Sequence, residues 1–260
     1  MDKSYKRRSV MWALRAAAGL VAVAPAAAEE APKSDGWQFE ITPYFWAAGL
    51  NGWTRVGSRA PTMSVDTDFS KIWDHLDFGG MGSFEARKGR WGILMDAIYI
   101  KVSQRSEPLA RGLLGTADAT LQQTILQGAG AYRVLDSEKT PVDLLAGVRY
   151  VYIDGDLEFS RSRLLPAGRD FSGNVDWLDG FVGVRAQYAL ADKWRLIGYA
   201  DAGTGGSDYS WQLAAGVNYD FSKSVVGKFG YRIIGMKYES NNFLYNLKTA
   251  GLYLGVGIRF

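Results

Sequence analysis

The chain has no cysteine among its 260 residues and a single histidine, His75. The first absence excludes disulfides, a thiol nucleophile and thiolate metal sites. The second leaves only one imidazole for any Ser–His chemistry. Past the first 28 residues, no apolar run is long enough for a transmembrane helix. A chain of this kind that crosses a membrane must do so as a closed β-barrel. Gly-rich phosphate loops, metal-ligand spacings and nucleotide motifs are also missing. No cofactor and no metal are expected.

What is present begins with a leader. Lys3, Lys6, Arg7 and Arg8 precede an apolar stretch from Val10 to Ala28, which ends in Pro25-Ala26-Ala27-Ala28 before Glu29-Glu30. Arg15 interrupts the stretch and Pro25 breaks it, so it reads as a signal peptide cleaved after Ala28 rather than an anchor. Its removal takes five basic residues (Arg15 included) and Asp2, leaving 25 basic and 26 acidic groups from the original 30 and 27, a net charge of −1. No basic surface then argues for nucleic acid. Residues 29–260 have the length of one barrel with loops.

The C-terminal segment alternates strictly. Leu252, Leu254, Val256, Ile258 and Phe260 share one face; Gly251, Tyr253, Gly255, Gly257 and Arg259 share the other. Such a strand suits a barrel wall between lipid and a polar lumen, with an aromatic at the membrane boundary. Tyr253, Gly255, Ile258 and Phe260 are spaced like the signal read by the barrel-assembly machinery. Trp211 to Phe221 alternates as cleanly, over roughly 25 Å of tilted strand. A first strand reads over about Trp37 to Gly49, and others over 77–88, 91–105, 118–135, 141–158, 174–190, 193–203 and 224–238. Short turns at Lys88-Gly89-Arg90, Asp136 to Thr140, Ala191-Asp192-Lys193 and Ser222-Lys223-Ser224 alternate with longer connections at 106–115, 160–172, 203–208 and 239–243. The expected fold is an all-β, antiparallel up-and-down transmembrane barrel of about ten strands, with eight or twelve as alternatives.

Two regions are less regular. Thr54 to Val65 can form a strand pair and Phe69 to Leu76 has helical character, but residues 51–76 are placed in the first outer loop to keep the strand count even. In 91–105, Leu94, Ile98 and Ile100 share a face with Asp96. Aromatics near the turns (Trp37, Trp91, Tyr132, Tyr188, Trp194, Tyr219, Phe221, Phe260) stand where a membrane girdle belongs.

Gly-x-Arg recurs at 147–149, 183–185, 230–232 and 257–259. Residues i and i+2 share a face, so each Gly stands beside its Arg. Glycine weakens a solvated strand but makes room inside a narrow barrel, so this face is read as the lumen. The lumen then receives Arg87, Arg133, Arg149, Arg185, Arg195, Lys228, Arg232 and Arg259, against Glu40, Glu85, Asp96, Asp143, Asp179, Asp201 and Asp220. Charges so enclosed must pair, so an interior ion-pair network is expected. It either fills the barrel or forms a charged constriction.

From Asp77 to Phe260 the chain resembles small outer-membrane β-barrels of Gram-negative bacteria, of the OmpW-like or porin-like kind. The resemblance is carried by Glu85 to Gly92, Ala146-Gly147-Val148-Arg149-Tyr150, Gly183-Val184-Arg185 with Trp194, Gly206-Ser207-Asp208 with Trp211-Gln212, Gly230-Tyr231-Arg232 and the ending at Phe260. It implies a place in the outer membrane and little about cargo. The leading expectation is a monomeric, porin-like passive pathway for small solutes, with a charged lumen that ion pairs can close. The alternative is a non-conducting structural or surface-interaction barrel that contacts lipopolysaccharide, for instance through Arg161 and Arg163 beside the acidic Asp154-Gly155-Asp156. No enzyme is expected. His75 lies between Asp74 and Asp77, a conceivable dyad, but no nucleophile has a recognisable context.

Overall fold

The computed structural model describes residues 36–56, 62–105, 116–160, 169–241 and 243–260. The proposed leader and Arg161 and Arg163 lie outside them. The strands are β1 (Gln38–Val56), β2 (Met63–Thr67), β3 (Leu76–Lys88), β4 (Trp91–Arg105), β5 (Ala117–Leu135), β6 (Val142–Phe159), β7 (Arg169–Ala191), β8 (Trp194–Gly205), β9 (Tyr209–Asp220), β10 (Val225–Glu239) and β11 (Phe243–Arg259). One short helix, α1 (Phe69–Asp74), precedes β3.

Every pairing is antiparallel between neighbours, and β11 returns to β1 from Glu40↔Arg259 to Val56↔Phe243. Ten strands therefore close a barrel, with β2 an eleventh strand added to the rim of β1. The turns are tight where the sequence allows it. Gly89, at φ 55°, takes the left-handed position in the β3–β4 turn.

Burial follows the alternation, and it is inverted relative to a soluble barrel. Val182 is 67 % exposed and Leu254 62 %, while Arg149 and Asp179 are both at 0 %. The outer face is an apolar band fringed at the short-turn end by aromatics. Trp91 meets Tyr132 at 4.8 Å, Trp194 meets Tyr219 at 4.6 Å, and Phe39 stacks on Phe260 at 5.7 Å. Amphipathic rings in this position bridge tails and headgroups.

The structure revises the first outer loop. β1 does not end at Gly49 but runs on to Val56, and β2 pairs with it from Leu50↔Thr67 to Thr54↔Met63. α1 occupies the segment with helical character. The reason lies at Pro43, which has no N–H to give to a ladder. Pairing of β1 to β11 skips Thr42 and Pro43, and pairing of β1 to β3 ends at Pro43↔Gly82. From Leu50 onward β1 takes β2 as its partner on that side. A second revision concerns 203–208. β8 extends to Gly205, so the connection to β9 is a tight turn at 206–208. Gly206 N–H donates to Leu178 O, which pins that turn to β7.

Candidate functional site

The interior is layered, and the order repeats from strand to strand. On β10, from the short-turn end toward the loop end, the inward residues are Lys228, Gly230, Arg232, Ile234 and Met236; on β6 they are Asp143, Leu145, Gly147, Arg149, Val151 and Ile153. The lumen is charged below and apolar above.

In the lower layer Asp143 gathers three guanidinium groups. Arg87 donates at 2.8 Å, Arg133 at 2.9 Å and Arg185 at 2.8 Å. Arg185 spans to Glu85 with two bonds of 2.7 Å. Glu40 takes Arg259 at 2.8 Å and also Lys228, and Arg259 reaches Asp220 at 2.7 Å. The middle layer holds two further pairs. Arg149 donates to both oxygens of Asp201, at 2.8 and 2.7 Å, and Arg232 donates to Asp96 at 3.0 Å. Gln127 and Gln212 accept from Arg149 and Arg232, and Tyr44 donates to Asp96. Both guanidinium groups also lie over rings, Arg149 on Phe181 at 5.1 Å and Arg232 on Trp46 at 5.2 Å.

Two expected members stand apart. Asp179 makes no ion pair among the described residues. Its carboxylate accepts from Ser207 N and Ser207 Oγ, at 2.8 and 2.7 Å, and so anchors the 206–208 turn. Arg195 stands on the inner face of β8, outside the ion pairs among the described residues. Glycine makes the close layering possible. A Cβ on Gly147 would lie 2.2 Å from Gly128 O, and one on Gly230 2.6 Å from the Tyr253 hydroxyl.

The sequence reading missed the upper layer. Trp46, Ala48, Ile98, Ile125, Val151, Ile153, Ile234, Met236 and Leu247 form one buried cluster across the lumen. Trp177 covers it, stacked on Tyr238 at 4.9 Å and set against Tyr245 at 5.7 Å. Its signal was present in 91–105, where Ile98 and Ile100 share the face of Asp96. An alternating strand that turns apolar on both faces marks a lumen filled by packing. Between the roof and the charged floor lies a cavity of about 200 Å³, bounded by Tyr44, Ser83, Glu85, Asp96, Tyr199 and Arg232 among others.

Most of the remaining candidates lie outside this interior. His75 donates through Nδ1–H to Lys71 O at 2.8 Å, so its ring is engaged by its own helix. Asp77 accepts from Ser103 Oγ. Asp154 and Asp156 face outward on β6, opposite Asn174 and Ser172 of β7. Lys237 donates to Asp208 at 2.8 Å at the loop-end rim, and that bond pushes its pKa up. On β11, Ile258 and Phe260 face outward, whereas Gly255 and Tyr253 line the cavity.

No family model matches the chain, and no curated protein matches it by sequence. Solved structures do match in shape. The outer-membrane protease OmpT from Escherichia coli aligns over 89 % of this chain and 99 % of its own, with a TM-score of 0.52 at 8 % identity. The attachment invasion locus protein Ail of Yersinia pestis covers 87 % of this chain and all of its own, with a TM-score of 0.38 at 13 % identity. A major outer-membrane protein of Thermus thermophilus covers 86 % and 100 %, with a TM-score of 0.39 at 16 % identity. The fold is that of the outer-membrane β-barrels. At such identities the likeness carries the fold and no activity.

Proposed function

We propose that this protein is an outer-membrane barrel with a closed lumen, which acts through its outward surface rather than as an open pore. The leader read over residues 1–28 fits export to that membrane. The carrying observation is the apolar layer around Ile98, Ile125, Val151, Ile234 and Met236, seated on the paired charges of the middle layer. Ions crossing such a layer would shed their water against hydrocarbon, the condition under which a constriction dewets. The surface partner supported best is the lipopolysaccharide of the outer leaflet. Lys101 and Lys248 face outward just beyond the apolar band, at the height of lipid phosphates. Replacing both with Gln is expected to lower the lipopolysaccharide that copurifies with the barrel; unchanged retention would remove that partner.

The porin-like pathway is the second reading. The charged cavity beneath the roof favours it, since a shift of the roof would expose a polar path. Swelling of proteoliposomes in a small sugar separates the two. A rate equal to that of protein-free liposomes supports the closed barrel, and a rate that grows with protein content assigns the porin-like role.

A further inference from the structure

Among the described residues, the wall of this barrel has a stretch that strands do not close. β1 and β3 are paired only from Gln38↔Arg87 to Pro43↔Gly82. Above that, residues 44–49 of β1 have no strand on their β3 side, because β2 joins β1 only from Leu50 upward. Residues 76–81 of β3 pair with β4 alone. This gap lies within the apolar band: Phe45 faces outward opposite Leu254, a residue of the lipid face. A bare strand edge at that depth must be covered, because lipid offers no hydrogen bonds.

α1 is the cover. Phe69 and Trp73 hold the Phe45 ring at 5.6 and 5.5 Å, and they lie 5.8 Å from each other. On the inner side Val65, Met81 and Leu50 reach the buried cluster. The helix is held loosely. It has six residues, Asp68 makes no side-chain cap, and none of its residues is buried. A helix so short has little stability of its own. Apolar rings that meet each other in hydrocarbon also gain none of the hydrophobic drive they would have in water. Its firm tie is at one end, where Ser103 N–H donates to His75 O at 2.9 Å. The central cavity meets the gap at its lower edge, at Tyr44, just above Thr42, Ser83 and Glu85, which line the cavity where β1 and β3 are paired.

We propose that α1 is a latch over a side window between β1 and β3, and that lifting it opens the central cavity to the outer leaflet while the axis of the barrel stays closed. The window goes beyond the closed-lumen reading and relies on it only for the quiet axial route.

The chain has no cysteine, so Ser83→Cys places a single thiol in the cavity. The barrel would be folded into liposomes, with folding checked by heat-modifiable gel migration. It would then be labelled from the lipid with pyrenylmaleimide and from water with a sulfonated maleimide. In the Ser83→Cys background, Phe69→Ala with Trp73→Ala is expected to raise the lipid-side rate at least about tenfold, with the aqueous rate unchanged. Phe45→Ala removes the other half of the contact and is expected to give the same signature without altering the helix. A lipid-side rate indifferent to both changes overturns the latch, as does a parallel rise in both rates. Fast aqueous labelling of every variant would instead overturn the closed lumen.

Discussion

At the scale of the residue, the interior pairs differ sharply in worth from the pairs at the rim. Arg149 and Asp201 have no exposed side-chain surface. Removing one partner leaves the other charge buried and alone, a loss of about 3–5 kcal/mol. Arg149→Ala is expected to destabilise the barrel by that amount in urea unfolding from lipid vesicles. Arg90→Ala removes an exposed 3.8 Å contact to Asp136 at a turn and is expected to cost at most about 1 kcal/mol. Which residues face inward was legible from period two alone. Which pair with which was not, because partners such as Arg185 and Glu85 stand on strands far apart in sequence, and only closure brings them together. Asp179 shows the limit most plainly: its face was readable, but not that a tight turn would supply its hydrogen bonds.

At the scale of the element, each strand carries two chemistries, one per face, with a height dependence along its length. Leu254→Arg on the outer face near mid-band is expected to cost about 2–4 kcal/mol. Asn246→Arg, farther along the same face of β11 past Lys248, is expected to cost at most about 1 kcal/mol. Tryptophan fluorescence during urea titration reads both, and equal costs would contradict the placement of the band. Clean alternation in β9 and β11 made those strands readable. Residues 51–76 resisted because two causes overlap there: Pro43 ends one ladder, and a short helix follows a short strand. Neither leaves a period long enough to register in sequence.

At the scale of the whole molecule, ten strands enclose a space that side chains can fill, and here they fill it in layers. The charged floor fixes the lower strands to one another. The apolar layer, with Trp177 stacked on Tyr238, packs above them. Sequence patterning identified the barrel and its inner face, but it treated that face as polar throughout. The layering is a property of height, which emerges only when strands are set in register. The inversion of burial across the wall was the readable part.

Single-channel recording in a planar lipid bilayer tests the sealed interior most directly. Wild-type barrel, inserted and folded, is expected to give no conductance steps at either polarity. Steady open-channel steps from that same protein would contradict a lumen closed by its apolar roof.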